Sequence, residues 1–279
     1  MGTYTRFPRI DKPETLRDDY YLGEFATFAD FEKEIRRIIA EAEKRNVTLR
    51  IMGGAAMRMH CPNQVELYAR LKRVPKHDMD FVTYKQFRPI TKQLFMDLGY
   101  EPYISLMLTG ATGRHRQIFN DKEGNKAIDV FLDKLEMCHV IDFKDRLGVD
   151  SPTVPLAELF LQKIQVVQTN EKDITDLIIL LSEHDVGKGD KEMINEDYVA
   201  KVLGNDWGFY YTATQNFTKV TEMLDKYDLS KQEKERIIDR VNRLKERVEA
   251  QPKTLQWKVR SKVGPAKLWY NKVEEVQRD

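Results

Sequence analysis

Three aspartates stand where a strand-forming sequence would not choose them. Asp78 and Asp80 lie two apart in HDMDFVTY, and Asp129 interrupts the apolar run AIDVF. Residues i and i+2 of a strand share a face, so the first two carboxylates sit side by side while Met79 and Phe81 turn the other way. Adjacent carboxylates near an apolar face repel, and the arrangement is costly unless a cation compensates. Aspartate inside AIDVF is disfavoured by both propensity and desolvation. If the two strands are neighbours, three carboxylates converge on a site for divalent ions, and all-oxygen ligands favour Mg²⁺ or Mn²⁺ over zinc. The competing explanation is that strand-edge aspartates are often merely solvated.

Upstream, VTLRIM reads as a strand that runs into Gly53-Gly54 and a short helix, AAMRMH. Glycines allow a sharp turn and close approach of a ligand to main-chain N–H groups, and the helix start offers unpaired donors to an anion. The pair could equally be a tight strand-to-helix junction. His77 beside Asp78, and Arg114, His115 and Arg116 after the GATG turn, are further groups that could meet a phosphate or simply face solvent. The five histidines are scattered, and none forms an HxxxH pair. Cys61 and Cys138 are the only cysteines, which gives no disulfide framework and no thiolate metal site. Cys138 and His139 adjoin each other, but neighbours on a strand point to opposite faces, so packing is expected rather than a thiol nucleophile.

These residues need a scaffold, and the hydrophobic periodicity supplies one. A helix is expected over 30–45 with Asp30 as its cap, strands at 47–52 and from His77, and a helix over 91–98 stopped by Gly99. Residues 62–76 read as a loop or short helix, and YEPYISLMLTG, RHRQIFN and NKAIDVFLD as three strand candidates, the last two joined by DKEGN. From Pro155 the chain turns helical, over 156–167 and 173–181, then past a polar break, EHDVGKGDKE, into further helices. Ser230 and Glu233 have the spacing of a capping box, and Ile237, Val241, Leu244 and Val248 form an ordinary packing stripe. The expected fold is α+β: a mixed β-sheet flanked by helices, followed by a mainly helical C-terminal region. Residues 1–150 would form the catalytic domain, its first 25 residues wrapping it, and 151–279 a helical domain whose first helices (155–182) complete the cleft.

Composition bounds the function. Apolar residues make up 41% and charged residues 33%, and no apolar run approaches the ~18 residues of a membrane span, so no membrane partner is expected. The N-terminal stretch carries charges of both signs and lacks a signal peptide's apolar core, and with two cysteines a cytoplasmic protein is expected. A net charge of +1 excludes a globally basic coat for nucleic acid. Locally, Lys253, Lys258, Arg260, Lys262, Lys267 and Lys272 interleave with Trp257, Trp269 and Tyr270 without an acid among them. Such a stretch could follow an RNA or tRNA backbone, though aromatics packed beneath a solvated basic face is the favoured reading.

Taken together, RIMGGAAMR, HDMDFV and IDVFL resemble the motif set of the nucleotidyltransferase superfamily, whose fold is polymerase-beta-like. LAELFLQKIQVVQTNEKDITDL looks like the helical motif of its subgroup related to abortive-infection toxins, which act in toxin–antitoxin pairs. The resemblance implies an Mg²⁺-dependent transfer of a nucleoside monophosphate from an NTP to a hydroxyl acceptor, with pyrophosphate released. It would place Asp78, Asp80 and Asp129 on the metal, and the phosphates over Gly53 and Gly54. Lys163 would reach the triphosphate, Asp173 and Asp176 would support the site or its ribose side, and Arg73 or Lys76 would supply the basic residue before Asp-x-Asp. Two rival functions are a non-catalytic nucleotide- or RNA-binding module on the same fold and a metal-dependent phosphohydrolase, the latter disfavoured by the absence of histidine-rich ligand spacing.

Overall fold

The computed structural model describes residues 27–73, 79–103, 115–121 and 127–273. The N-terminal wrapping segment, Lys76, His77, Asp78, Arg114, the 110–113 turn and most of the DKEGN connection lie outside the described residues.

The amphipathic pattern of the first helix forms α1 (Phe28–Lys44), which buries Phe31, Ile35, Ile38, Ile39 and Ala42. Its cap is Thr27 rather than Asp30: the Thr27 hydroxyl accepts from the Asp30 N–H, and Asp30 sits in the first turn where a negative charge suits the helix dipole. Asn46 leaves the helix at a φ of 58°, a conformation asparagine tolerates.

Next come β1 (Leu49–Met52), α2 (Gly53–His60), α3 (Val65–Arg70), β2 (Met79–Thr83), α4 (Arg88–Asp97), β3 (Glu101–Pro102), β4 (Arg116–Asn120) and β5 (Ala127–Leu132). Helix α4 starts three residues earlier than its apolar periodicity implies, with proline in its first turn, where the missing N–H costs nothing. The strands build one five-stranded mixed sheet in the order β1-β2-β5-β4-β3, with β2 and β5 parallel and the other pairs antiparallel. The outer edge of β1 is closed by the segment around Thr153: Ile51 N–H donates to Pro152 O and Val154 N–H to Ile51 O, at 3.0 and 2.9 Å. The α+β expectation, a mixed sheet with flanking helices, holds.

A hairpin of β6 (Lys134–Glu136) and β7 (Val140–Asp142) leads to the helices. Cys138 and His139 occupy its bend rather than a strand. His139 Nε2 lies 2.8 Å from Thr212 Oγ1, its ring stacks on Phe209, and burial pushes it down to about 4, so it packs rather than activates a thiol.

Helices α5 (Leu156–Ile164) and α6 (Glu171–Glu183) follow, α6 beginning two residues before Asp173 because Asn170 caps it. The polar break holds two short parallel strands, β8 (Asp185–Gly187) and β9 (Met193–Asn195), which the polar composition conceals. Then come α7 (Glu196–Asn205), α8 (Trp207–Met223), α9 (Lys231–Ala250) and α10 (Leu255–Val263). The apolar core is continuous, from Phe31 and Ile35 through Phe160 and Leu177 to Leu244. Glu158, fully buried on α5, is paired with Arg146, which also holds Asp190 at 2.7 Å and lies over the Tyr198 ring, so the loop after β7 is fastened to the helical region.

The Ser230–Glu233 capping box forms at the start of α9, and Ile237, Val241, Leu244 and Val248 are its buried stripe. Glu233 is also bound by Arg70 of α3 at 2.5 Å. Ser230→Ala removes one side of the box and should lower stability by about 1 kcal/mol, read as a lower midpoint in urea with an unchanged slope.

Candidate functional site

The two described aspartates meet. Strand β2 runs parallel to β5 with Asp80 directly opposite Asp129, so both side chains leave the same face at the same level. Asp129 is 4% exposed, whereas Asp80 is half-buried. Asp78 lies outside the described residues. Strand β1 delivers Met52 beside Asp80, and the chain turns there through Gly53 into α2.

That turn requires glycine. Gly53 has a φ of +67°, and a Cβ on it would come within 2.7 Å of Asp80 Oδ2. Gly54 has no such restriction, since a Cβ there would meet only Arg73 Nη2 at 3.7 Å. The Gly53 N–H donates to Gln162 Oε1 at 3.1 Å, which fixes the Gln162 amide with its Nε2 away from the backbone and without a hydrogen-bond partner. Gln162 went unnoticed in the sequence; its only signal is a polar residue beside Lys163 on a helix otherwise rich in leucine and phenylalanine.

Gly53, Gly54, Arg73, Asp80, Lys163 and Asp173 all line one cavity of about 400 Å³, together with Arg116, Gln162 and Lys172. A larger cavity, about 980 Å³, lies against α10 among Trp207, Trp257 and Trp269 and holds no aspartate besides Asp206. The sequence's candidate site residues gather at the smaller one.

Asp176 does not line it but stands behind its wall. Only 1% exposed, it accepts two hydrogen bonds from Arg73, at 2.7 and 3.0 Å, and pairs with Lys163 at 2.7 Å. Lys163 also reaches Asp173, at 3.5 Å. Burial by itself would push the Asp176 carboxyl up and the Lys163 ammonium down. The mutual charges and hydrogen bonds outweigh it, holding Asp176 below the carboxylate range and Lys163 above the lysine range. Asp176 is therefore a positioning residue: it fixes two cations at the cavity wall. Of the two basic candidates before Asp-x-Asp, Arg73 is in this site and Lys76 lies outside the described residues.

Arg116 reaches the site from β4. It opposes Phe131 in the ladder, stacks over that ring, and its guanidinium is ion-paired with Asp129. His115 precedes it, outside this cavity.

The basic tail behaves as packed aromatics under a charged face. Trp257 Nε1 donates to Leu203 O at 3.1 Å and Trp269 Nε1 to Thr212 Oγ1 at 3.1 Å, while Arg260 lies over Trp207. Lys258, Lys262, Lys267 and Lys272 remain exposed.

No protein-family model and no curated protein matches this sequence. Among solved structures it is similar to the solution structure of the antibiotic-resistance factor ANT(2'')-Ia, with 15% identity, 54% of this chain and 84% of that one covered, and a TM-score of 0.34. It is also similar to the crystal structure of an antigenic nucleotidyltransferase-like protein from Paracoccidioides brasiliensis, with 13% identity, 80% and 94% covered, and a TM-score of 0.39. Among the described residues no helix is long and apolar enough to cross a membrane.

Two substitutions test the geometry. Gly53→Ala should cost about 1–2 kcal/mol from the left-handed backbone alone and displace Asp80, whereas Gly54→Ala should leave stability nearly unchanged; paired thermal melts decide it. Asp176→Asn should destabilise by about 3–5 kcal/mol, because two cations lose the charge that matches them. The sign with pH follows from the shifts. Asp176 is depressed below its ordinary 3.8, so its contribution is complete above that value and lost as pH falls through the lowered one. Lys163 is raised above 10.5, so its contribution is complete below that value and lost only at still higher pH. Urea unfolding from about pH 7 to about pH 2 should show a steep acid loss below about pH 4 in the parent chain and a flatter one in Asp176→Asn.

Proposed function

We propose that this chain is a divalent-metal-dependent nucleotidyltransferase, moving a nucleoside monophosphate from an NTP to a hydroxyl acceptor with release of pyrophosphate. The observation that supports this most is Asp80 opposite Asp129 beside a Gly53 turn that tolerates no side chain, at a cavity edged by four cations. A packing or binding role alone does not call for in-register carboxylates.

The donor set fits Mg²⁺ or Mn²⁺: Asp80 and Asp129 offer only carboxylate oxygens from one face of the sheet, and Asp78, two residues before Asp80, would join them. When bound, the ion supplies positive charge to the phosphates and to the transition state. The rest falls to the chain's own groups. Gly53 and the start of α2 bring backbone close to the phosphates, with the Gln162 amide beside them. Lys163 and Arg73, fixed by Asp176, supply charge at the wall, and Asp173 is placed for the nucleoside end. The acceptor oxygen forms its bond to the α-phosphorus as the bond to the bridging oxygen breaks, and pyrophosphate leaves with that electron pair. Asp129 takes the hydroxyl proton once Arg116 turns from it toward the phosphates.

Within the superfamily we place the chain nearest the subgroup related to abortive-infection toxins, because Lys163, Asp173 and Asp176 gather at this one cavity wall. An RNA or tRNA end is one candidate acceptor, with the exposed Lys258, Lys262, Lys267 and Lys272 available to its backbone.

The test is a product assay with each of the four α-labelled ribonucleoside triphosphates, Mg²⁺ or Mn²⁺, total RNA and a metabolite extract. Label should move to one acceptor class, and Asp80→Asn or Asp129→Asn should lower the rate by at least about 10²-fold while preserving the fold. Transfer that persists in both variants would overturn the site. Nucleotide binding without transfer to either pool would favour the non-catalytic binding module, and transfer to a small metabolite would remove the RNA role of the tail.

A further inference from the structure

On the far side of α2 from the glycine turn, three residues far apart in sequence come together. His60 ends α2, His184 caps the C-terminus of α6, and Glu192 stands in the loop before β9. Each brings a potential ligand atom to within 4.8 Å of the others. The histidines that look scattered in the sequence are thus paired in space, 8% and 4% exposed, with ring centroids 5.9 Å apart.

Their hydrogen bonds fix the orientation of both rings. His184 Nε2 lies 3.0 Å from the carbonyl oxygen of His60, and His60 Nε2 lies 3.3 Å from that of Val154. A carbonyl only accepts, so each Nε2 donates in the tautomer that leaves Nδ1 open to a metal, whereas a proton on His184 Nδ1 would serve the Glu192 carbonyl oxygen. Histidine ligands are held in this way, the second ring nitrogen donating to a carbonyl so that tautomer and ring orientation are fixed. Behind His60, Thr153 Oγ1 is 2.7 Å from Nε2 and 3.4 Å from Asp150 Oδ2, and Asp150 itself is 3.5 Å from the ring nitrogen.

His184 Nδ1 faces two oxygens of Glu192, the carbonyl at 3.4 Å and the carboxylate at 3.7 Å. Either a proton on Nδ1 or a metal ion can stand between these oxygens and the ring. Both distances are longer than the usual hydrogen bond. Two ligands each about 2.1 Å from a tetrahedral ion stand roughly 3.4 Å apart. The Glu192 side chain is 67% exposed and can swing to complete the fit.

We propose that His60, His184 and Glu192 form a second metal site, for a zinc-class divalent ion, distinct from the aspartate site and serving as a clasp. Two imidazoles and one carboxylate suit Zn²⁺ and not Mg²⁺, with water as the fourth ligand. The clasp joins α2, which opens at the Gly53 turn, to α6, which carries Asp173 and Asp176, so it holds together the two elements that frame the nucleotide cavity.

The experiment uses the full chain in an Asp80→Asn/Asp129→Asn background, stripped with chelator and titrated calorimetrically with Zn²⁺, with Co²⁺ as a spectroscopic reporter. One equivalent of Zn²⁺ should bind, Co²⁺ should give the visible absorption of a tetrahedral site, and the melting temperature should rise with Zn²⁺ but not Mg²⁺. Glu192→Gln, at an exposed position, should weaken binding at least about tenfold without unfolding the chain, and His184→Gln should do the same. Absence of saturable Zn²⁺ binding would mean that a proton bridges His184 and Glu192, and would overturn the proposal. So would binding unchanged by Glu192→Gln. Because the background removes Asp80 and Asp129 of the aspartate site, either result is independent of nucleotidyl transfer.

Discussion

A carboxylate withdrawn from water keeps its charge only where the fold delivers cations to it, and Asp176 is the point at which this chain does so most completely. It is all but sealed, and its partners come from elsewhere in the sequence: Arg73 from the segment after α3 and Lys163 from the last turn of α5. Taking such an ion from water costs several kcal/mol, which three long-range contacts repay only when all are made. Forming them sets the spacing of α5 and α6 and brings Arg73 beside the glycine turn. The cavity wall is therefore a by-product of satisfying one buried acid. The long, flexible Lys163 chain is held at the wall by Asp176 and Asp173.

The sheet imposes the other constraint. Asp80 and Asp129 share a face only because β2 and β5 pair in one particular parallel register, and a slip of one residue would turn one acid toward the apolar core. The register is locked from both sides: Phe81 and Val130 are fully buried opposite one another, and Met52 on β1 stands beside Asp80. The apolar pattern that stabilises the sheet is thus what aims the carboxylates. Gly53 completes the arrangement by leaving room for Asp80 where any other residue would intrude.

What was legible in the sequence follows from which of these forces are local. Period-two alternation placed Asp80 and Asp129 on strands, glycine chemistry marked the Gly53 turn, and the Ser230–Glu233 box is a four-residue matter. The helix carrying Lys163 and the one carrying Asp173 were plain from apolar periodicity; the first ends at Ile164 rather than at residue 167, and the second starts two residues early because Asn170 caps it outside the apolar pattern. Long-range electrostatics left no such trace. Nothing in RHRQIFN says that Arg116 will pair with Asp129, and nothing in EHDVGKGDKE announces β8 and β9 or the approach of His184 to His60. Both depend on strand and helix neighbours that only the tertiary fold selects.

The charge balance of the cavity bears on what it is for. Arg73, Arg116, Lys163 and Lys172 line it on the cationic side, and Asp80, Glu136 and Asp173 on the acidic side, with Asp129 just behind. A pocket built merely to hold a polyanion would be strongly cationic, as phosphate sites that rely on arginine and lysine are. Here the two signs nearly cancel, so a triphosphate entering alone would meet Asp80 and Asp129 as repelling groups. Those same acids become attractive partners once a divalent ion stands between them and the phosphates, which reverses the local electrostatics. Under the proposed function, a near-neutral cavity with paired carboxylates at one end would bind a nucleotide better together with a metal than by itself.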